Sequence, residues 1–261
     1  MTHSPMTQTR LEKAAIDNGF DLALAPEGDW LVFGSTQCPL RVWLRTLGKG
    51  DSEEGFFISA LSMKNVASAL EVGAACVSPL PKGAAGARSV GDVPLLHRLL
   101  RRAFQLSKAL PNELLHTFEK QVAALPRTTE AEHLIVQRVG QDVFRAGLID
   151  FWEGRCAVTG LAVPELLRAS HIKPWADCGI DAERLDVYNG ILLAPHLDAA
   201  FDQGFITVQD DGAIVVSDAL DAEARVVLGL DQPLSVRRLT EGHRSYLPWH
   251  RERVFKHGGT P

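Results

Sequence analysis

Four polar residues stand in an order that could carry out a hydrolysis. They are His171 in Ser170-His171-Ile172, Asn189 in Asn189-Gly-Ile-Leu-Leu193, and Asp198 and Asp202 in Asp198-Ala-Ala-Phe201-Asp202. Histidine is the side chain whose unperturbed pKa suits taking a proton from water near neutral pH. Carboxylates are hard oxygen donors of the kind that hold Mg²⁺ or Mn²⁺, and such a cation polarises a phosphate and steadies a leaving oxygen. On a helix, Asp198 and Asp202 would share one face about a turn apart. Each residue also has a plainer reading. Asn189 before Gly190 makes a turn, and Asp202 can satisfy backbone groups at a helix end.

Several elements must place these side chains. Arg10 to Asn18 reads as a helix closed by Gly19. Strand-like runs follow at Trp30–Phe33, Leu40–Arg45 and Gly55–Ser59, with a turn at Gly48–Ser52. Met63 to Leu70 looks helical, and 79–94, rich in Pro and Gly, reads as a loop. A helix starting at Leu95 carries an apolar face, and a second begins near Pro111 and ends before Pro126. Thr129 and Glu132 have the spacing of a capping box, opening a helix from Glu130 to Trp152. A hairpin around Gly160, an irregular loop from Pro174 to Leu185 and a helix starting near Asn189 or Pro195 come next. Gly204–Val208 and Ala213–Val216, joined at Asp211-Gly212, form a closing hairpin. The expected fold class is α+β, with an N-terminal α/β module over 1–126 and a second domain over 127–261.

Composition limits the alternatives. The 46% hydrophobic and 23% charged residues are those of a soluble globular protein. No run approaches the ~20 apolar residues that span a bilayer, and Met1-Thr-His-Ser-Pro5 does not lead into an apolar segment, so a cytoplasmic location is expected. Cys38, Cys76, Cys156 and Cys178 are scattered and read as reduced thiols; without a C-x-x-C pair they exclude a four-thiolate zinc site. A net charge of −5 is unlike a general DNA binder, so any DNA contact must come from local basic patches or a metal.

The ordered set Arg155-Cys-Ala-Val-Thr-Gly160, Ala169-Ser-His-Ile-Lys-Pro174, Asn189-Gly-Ile-Leu-Leu193 and Asp198-Ala-Ala-Phe-Asp202-Gln-Gly204 resembles the HNH endonucleases, built on the ββα-metal motif. It is most similar to the bacterial branch in which the third signature residue is Asp. Val139-Gly-Gln-Asp-Val-Phe-Arg145 and Tyr246-Leu-Pro-Trp-His250 extend the likeness over roughly 130–255. The resemblance implies metal-dependent hydrolysis of DNA phosphodiesters, with His171 as general base, Asn189 bracing the hairpin loop, and Asp198 and Asp202 as metal ligands. Mg²⁺ or Mn²⁺ is the implied ion, with Ni²⁺ or Zn²⁺ as alternatives. Ser170 stands where many relatives carry a further ligand. Thr159, Ala194 and Leu197 replace the cysteines of a structural zinc, so none is expected, and packing by Trp152, Leu192, Leu193 and Phe201 should substitute for it.

DNA is the implied partner, with no membrane, and cutting both strands calls for a homodimer or two successive nicks. Arg145, Arg168, Lys173 and His196 are the candidate DNA contacts, although ion pairing with nearby acids is an equal claim on each basic residue. His243, His250 and His257 lack ligand spacing and read as packing residues. Restriction of foreign or modified DNA is the cellular role that suits such a chain, with the N-terminal module choosing targets. The competing classes are an inactive HNH fold serving as a DNA-binding regulator, and a toxin nuclease.

Overall fold

The computed structural model describes residues 4–47, 56–76, 79–110, 112–126 and 128–257. The chain divides into two compact units, Met1–Leu110 and Pro111–Pro261. The break expected at Pro126 lies inside the second unit, and the helix that precedes it packs there. The turn expected at Gly48–Ser52 and the helix start at Pro111 lie outside the described residues.

The first unit runs α1 (Pro5–Ile16), β1 (Leu22–Glu27), β2 (Trp30–Gly34), β3 (Val42–Leu47), β4 (Phe56–Leu61), α2 (Lys64–Ala69), β5 (Ala74–Ala75), β6 (Gly86–Val90) and α3 (Val93–Ala109). The six strands form one sheet in the order β1-β2-β3-β4-β6-β5. Every pairing is antiparallel, so the module is itself α+β, and among the described residues it has no parallel βαβ crossover. Val32, Trp43, Ala60 and Ala87 sit opposite one another across four strands and form a single buried row. Asp92 caps α3 by accepting the Leu95 amide at 2.7 Å, and Leu96, Leu99, Leu100, Ala103 and Leu106 make its buried face. Asn18 ties α1 to α3, donating to the Ala14 carbonyl at 2.8 Å and meeting His97 Nδ1 at 2.9 Å.

One strand, β6, arises where the sequence reads as loop, and β1 and β5 arise where it announces no element. β6 lies within the Pro/Gly-rich stretch, and its Gly86 is needed because a Cβ there would stand 2.8 Å from the Ala67 Cβ on α2. β1, with Pro26 inside it, is an exposed edge strand with an irregular register between Leu24 and Glu27, a place where proline is tolerated.

The second unit comprises α4 (Glu113–Val122), α5 (Glu130–Phe151), β7 (Arg168–His171), α6 (Asp181–Arg184), β8 (Gly190–Leu193), α7 (Pro195–Asp202), β9 (Ile206–Val208), β10 (Ile214–Val216), α8 (Ala222–Val227), α9 (Glu241–Arg244) and α10 (Leu247–Arg253). The Thr129/Glu132 capping box opens α5, Glu132 accepting the Thr129 amide at 2.9 Å and Thr129 Oγ1 accepting the Glu132 amide at 3.2 Å. Glycines let neighbours reach this helix. A Cβ on Gly140 would lie 2.4 Å from the Trp175 ring, and one on Gly147 would lie 2.4 Å from Leu114 of α4. β8 is buried at all four residues, and its Gly190 seats Phe144 and Leu148 of α5. β9 and β10 pair as the Asp-Gly turn predicts.

The end of the chain returns to the site helix. Gly204, at φ +71°, has the Val254 carbonyl oxygen 2.0 Å from where a Cβ would stand, so only glycine fits. Trp152, Leu192, Leu193 and Phe201 are buried together with Cys156, whose Sγ accepts the amides of Thr159 and Ala194 at 3.4 and 3.3 Å. Among the described residues no helix is long and apolar enough to cross a membrane.

Candidate active site

β7 and β8 form an antiparallel ladder in which Ser170 faces Ile191 and His171 faces Gly190. Side chains alternate across a strand, so Ser170 and His171 serve different neighbours. His171 stacks on Phe144 of α5, with ring centroids 3.8 Å apart and planes 17° from parallel, and Trp175 meets it edge-on at 5.7 Å. Its Nε2 lies 2.9 Å from the Arg184 carbonyl oxygen. A carbonyl only accepts, so Nε2 carries the proton and the neutral ring keeps its lone pair on Nδ1. Burial pushes the His171 pKa down to about 4, partly offset by that carbonyl. At neutral pH the ring is therefore an uncharged base with one fixed tautomer.

Asn189 is fully buried and commits its whole amide to the intervening loop. Its Oδ1 accepts the Lys173 amide at 2.8 Å, while Nδ2 donates to the Lys173 and Glu183 carbonyls at 3.1 and 3.2 Å. The Asn189 carbonyl accepts the Ile172 amide at 3.0 Å. The loop from 172 to 184 is thereby gathered at one point, which fixes the Arg184 carbonyl that in turn holds His171.

Ser170 is buried, and its hydroxyl donates to Asp198 Oδ1 at 2.5 Å. That bond joins β7 to α7 and fixes one oxygen of the Asp198 carboxylate. Asp202 follows one turn later on the same helix. Burial of its carboxyl end and the charge on Asp198 push the Asp202 pKa up to about 6, a shift tempered by solvent because the residue as a whole is exposed. A carboxylate whose proton affinity is raised by burial and by the charge of its neighbour fits a hard divalent cation, which would relieve that repulsion. Among the described residues no group of three or more His, Cys, Asp or Glu side chains converges, so water and substrate oxygens would complete the coordination of such an ion.

The four candidate DNA contacts are placed differently. Arg168 is exposed on β7 and shares an open groove with Arg138, Gln141 and Arg145 of α5. Arg145 gives its terminal nitrogens to the carbonyls of Leu167 and Pro164, at 2.5 and 2.7 Å. Lys173 is paired with Glu183 at 2.6 Å, and His196 is exposed in the first turn of α7.

Phe144, the Arg184 carbonyl and Asp186 were not singled out from sequence, whereas Tyr246 and His250 belong to the extended resemblance and His250 is the packing residue it reads as. Phe144 and the Arg184 carbonyl orient His171, and neither has a local signature. Asp186 accepts the Tyr188 amide at 2.9 Å and the Tyr246 hydroxyl at 3.0 Å just ahead of Asn189; burial raises the pKa of both Asp186 and Tyr246. His250, fully buried and stacked on Phe201 at 3.8 Å, donates from Nε2 to the Phe201 carbonyl at 3.1 Å. Its Nδ1 then accepts the Thr207 hydroxyl at 2.9 Å. The segment Tyr246–His250 thus braces both Asn189 and α7.

A hairpin carrying a tautomer-locked histidine, an asparagine-bound loop and a helix with two carboxylates is one compact arrangement. Residues 156–209 match the HNH endonuclease family. The match spans β7, β8, α7 and β9, and covers about a fifth of the chain. It contains His171, Asn189, Asp198 and Asp202, and it points to nuclease chemistry of the HNH type. No curated protein matches the chain.

Proposed function

We propose that the protein is a metal-dependent DNA endonuclease whose HNH segment hydrolyses phosphodiester bonds. The observation that carries this reading is His171: the Arg184 carbonyl holds the proton on Nε2 and leaves Nδ1 as the base, on the strand whose Ser170 holds Asp198. In the reaction, Nδ1 takes a proton from water as the water oxygen attacks phosphorus. The P–O3′ bond then breaks, and the products carry a 5′-phosphate and a 3′-hydroxyl. Asp198 and Asp202 would hold the divalent ion, which supplies Lewis-acid stabilisation of charge at the leaving oxygen. Asn189 positions the loop and does not touch substrate. Arg168 and its groove on α5 offer positive charge to the DNA backbone.

The finer role follows from the division of labour in the chain. A metal motif of this kind reads little sequence, so the unit Met1–Leu110 is assigned target choice, and restriction of foreign or modified DNA is the cellular role. Intact protein and His171→Ala should be compared on plasmid DNA with Mg²⁺, Mn²⁺, Ni²⁺ and Zn²⁺, using unmodified, methylated and hydroxymethylated substrates. Metal-dependent cutting by the intact protein, reduced by about 10²- to 10⁴-fold in His171→Ala, is expected. Absence of cutting on every substrate and metal would refute the enzyme reading; cutting that persists in His171→Ala would refute the base. One observation favours a second reading, a catalytically silent HNH fold: a serine stands beside His171, and its hydroxyl is spent on Asp198. The same assay decides between them.

A further inference from the structure

A recess of about 150 Å³ lies on the turn that opens the HNH segment, lined by Trp152, Glu153, Arg155, Gly160, Arg237 and Arg238 among others. Three guanidinium groups face a single carboxylate there, in a chain whose net charge is −5. The recess is assembled from distant segments. The Arg237 amide donates to the Ala157 carbonyl at 2.8 Å, bringing 236–238 alongside the 156–160 turn. Gly160, at φ +75°, makes room for Arg237, whose Nη1 lies 3.0 Å from where a Cβ would stand. Arg155 reaches the Gly160 carbonyl only at 3.5 Å, and the Arg237 guanidinium makes no hydrogen bond or ion pair among the described residues.

Two further observations set this recess apart from ordinary surface charge. Glu153 and Arg238, which pair with each other, both hold left-handed backbone, at φ 55° and 58°. Such a conformation is uncommon for a non-glycine residue and gathers at functional sites. Trp152 also lines the recess and is 4% exposed, which holds that wall fixed. Surplus guanidinium forks suit a phosphate oxyanion, which accepts several donors at once.

The recess is also tied to the catalytic framework. The Ala157 amide donates to the Leu192 carbonyl of β8 at 2.8 Å, and Cys156 Sγ accepts the Ala194 amide immediately ahead of α7. We propose that this recess binds a backbone phosphate of the DNA substrate other than the one being cut, through Arg155 and Arg237. The choice of DNA as the source of the phosphate rests on the nuclease reading; the oxyanion chemistry does not.

The test is fluorescence anisotropy with a labelled DNA duplex and full-length His171→Ala protein, across a potassium chloride series. Arg155→Ala and Arg237→Ala should each weaken binding by about threefold to tenfold on any sequence and lower the salt slope by about one. Arg237→Lys should keep the salt slope while losing affinity, and thermal melting of each variant checks the fold. Inorganic phosphate, added at matched ionic strength, should compete no better than chloride. An unchanged affinity and salt slope in the double alanine variant overturns the proposal, even if the protein that retains His171 cuts DNA and the nuclease reading stands. Phosphate that competes strongly in the parent but not in the double variant shows a free-phosphate site and overturns the DNA assignment. Loss of binding in the double variant, together with no cutting by the protein that retains His171, supports the recess and refutes the nuclease.

Discussion

Ser170 carries the sharpest residue-scale consequence. From sequence it is a weak ligand beside His171; in the structure it is a donor that holds Asp198 in place. A bond from a hydroxyl to a carboxylate fixes the acceptor's rotamer, and groups that orient a metal ligand typically govern about 10- to 100-fold in metal affinity. Ser170→Ala should weaken Mn²⁺ binding to that degree in isothermal titration without DNA, while Ser170→Thr retains most of the affinity. Equal Mn²⁺ affinity in Ser170→Ala and the parent would show that Asp198 needs no such support. What could be read at this scale was the identity of the polar residues and their order. What could not be read was their partners, because the Arg184 carbonyl, Phe144 and Tyr246 reach the site only through tertiary packing. No local pattern announces a carbonyl that will fix a histidine tautomer.

At the scale of elements, α5 supports the site by being incomplete in the right places. Gly140 and Gly147 are two turns apart, and each yields its surface to an incoming side chain, Trp175 and Leu114. An alanine at either position gains about 1 kcal/mol of helix propensity but inserts a methyl into a close contact, which typically costs about 1–3 kcal/mol. Packing therefore prevails. Gly140→Ala should lower the melting temperature and, by displacing Trp175 from His171, reduce cutting as well. Gly147→Ala should lower stability with a smaller effect on cutting. Melts and rates measured side by side check this, and an unchanged melt for Gly140→Ala would refute the close contact. α4, α5 and α7 were legible because their caps and periodicity are local, whereas α6 stands inside the stretch that reads as an irregular loop, and α8, α9 and α10 follow the last element read from sequence. β6 was missed because its Gly86 answers to Ala67 of α2 and its Ala87 to the buried row across the sheet, and not to strand propensity.

Two histidines join His171 in shaping the acid response of the molecule. His243 and His250 are fully buried, and burial holds both at a pKa of about 4 against an ordinary 6.5. Between those values the unfolded chain binds protons that the folded chain does not, so stability rises with pH. The contribution is complete above pH 6.5 and is lost as pH falls towards 4, about 3 kcal/mol at most for each group. Urea melts of the full chain should weaken steeply over that window, and hydrogen exchange of the 205–208 amides should accelerate with them. His250→Gln keeps a donor and an acceptor but removes one titration, so the slope with pH should fall. A slope unchanged by that substitution would sink the assignment. Composition made no such forecast, since the sequence gives the number of histidines and not their burial.

The way Arg145 is used has a consequence for mutational tolerance. Its guanidinium grips the carbonyls of Pro164 and Leu167, so the bridge between α5 and the strand bearing His171 depends on main chain and is blind to side-chain identity there. Leu167 is buried, but Val163, Glu165 and Leu166 point to solvent. Those three positions form a stretch in which the protein can accept new chemistry without loosening the strand that carries His171. A library randomised at them should retain metal-dependent cutting in most members, whereas Arg145→Met should lose it throughout. The connection is a blank margin beside the working text, where new contacts to a substrate could be written.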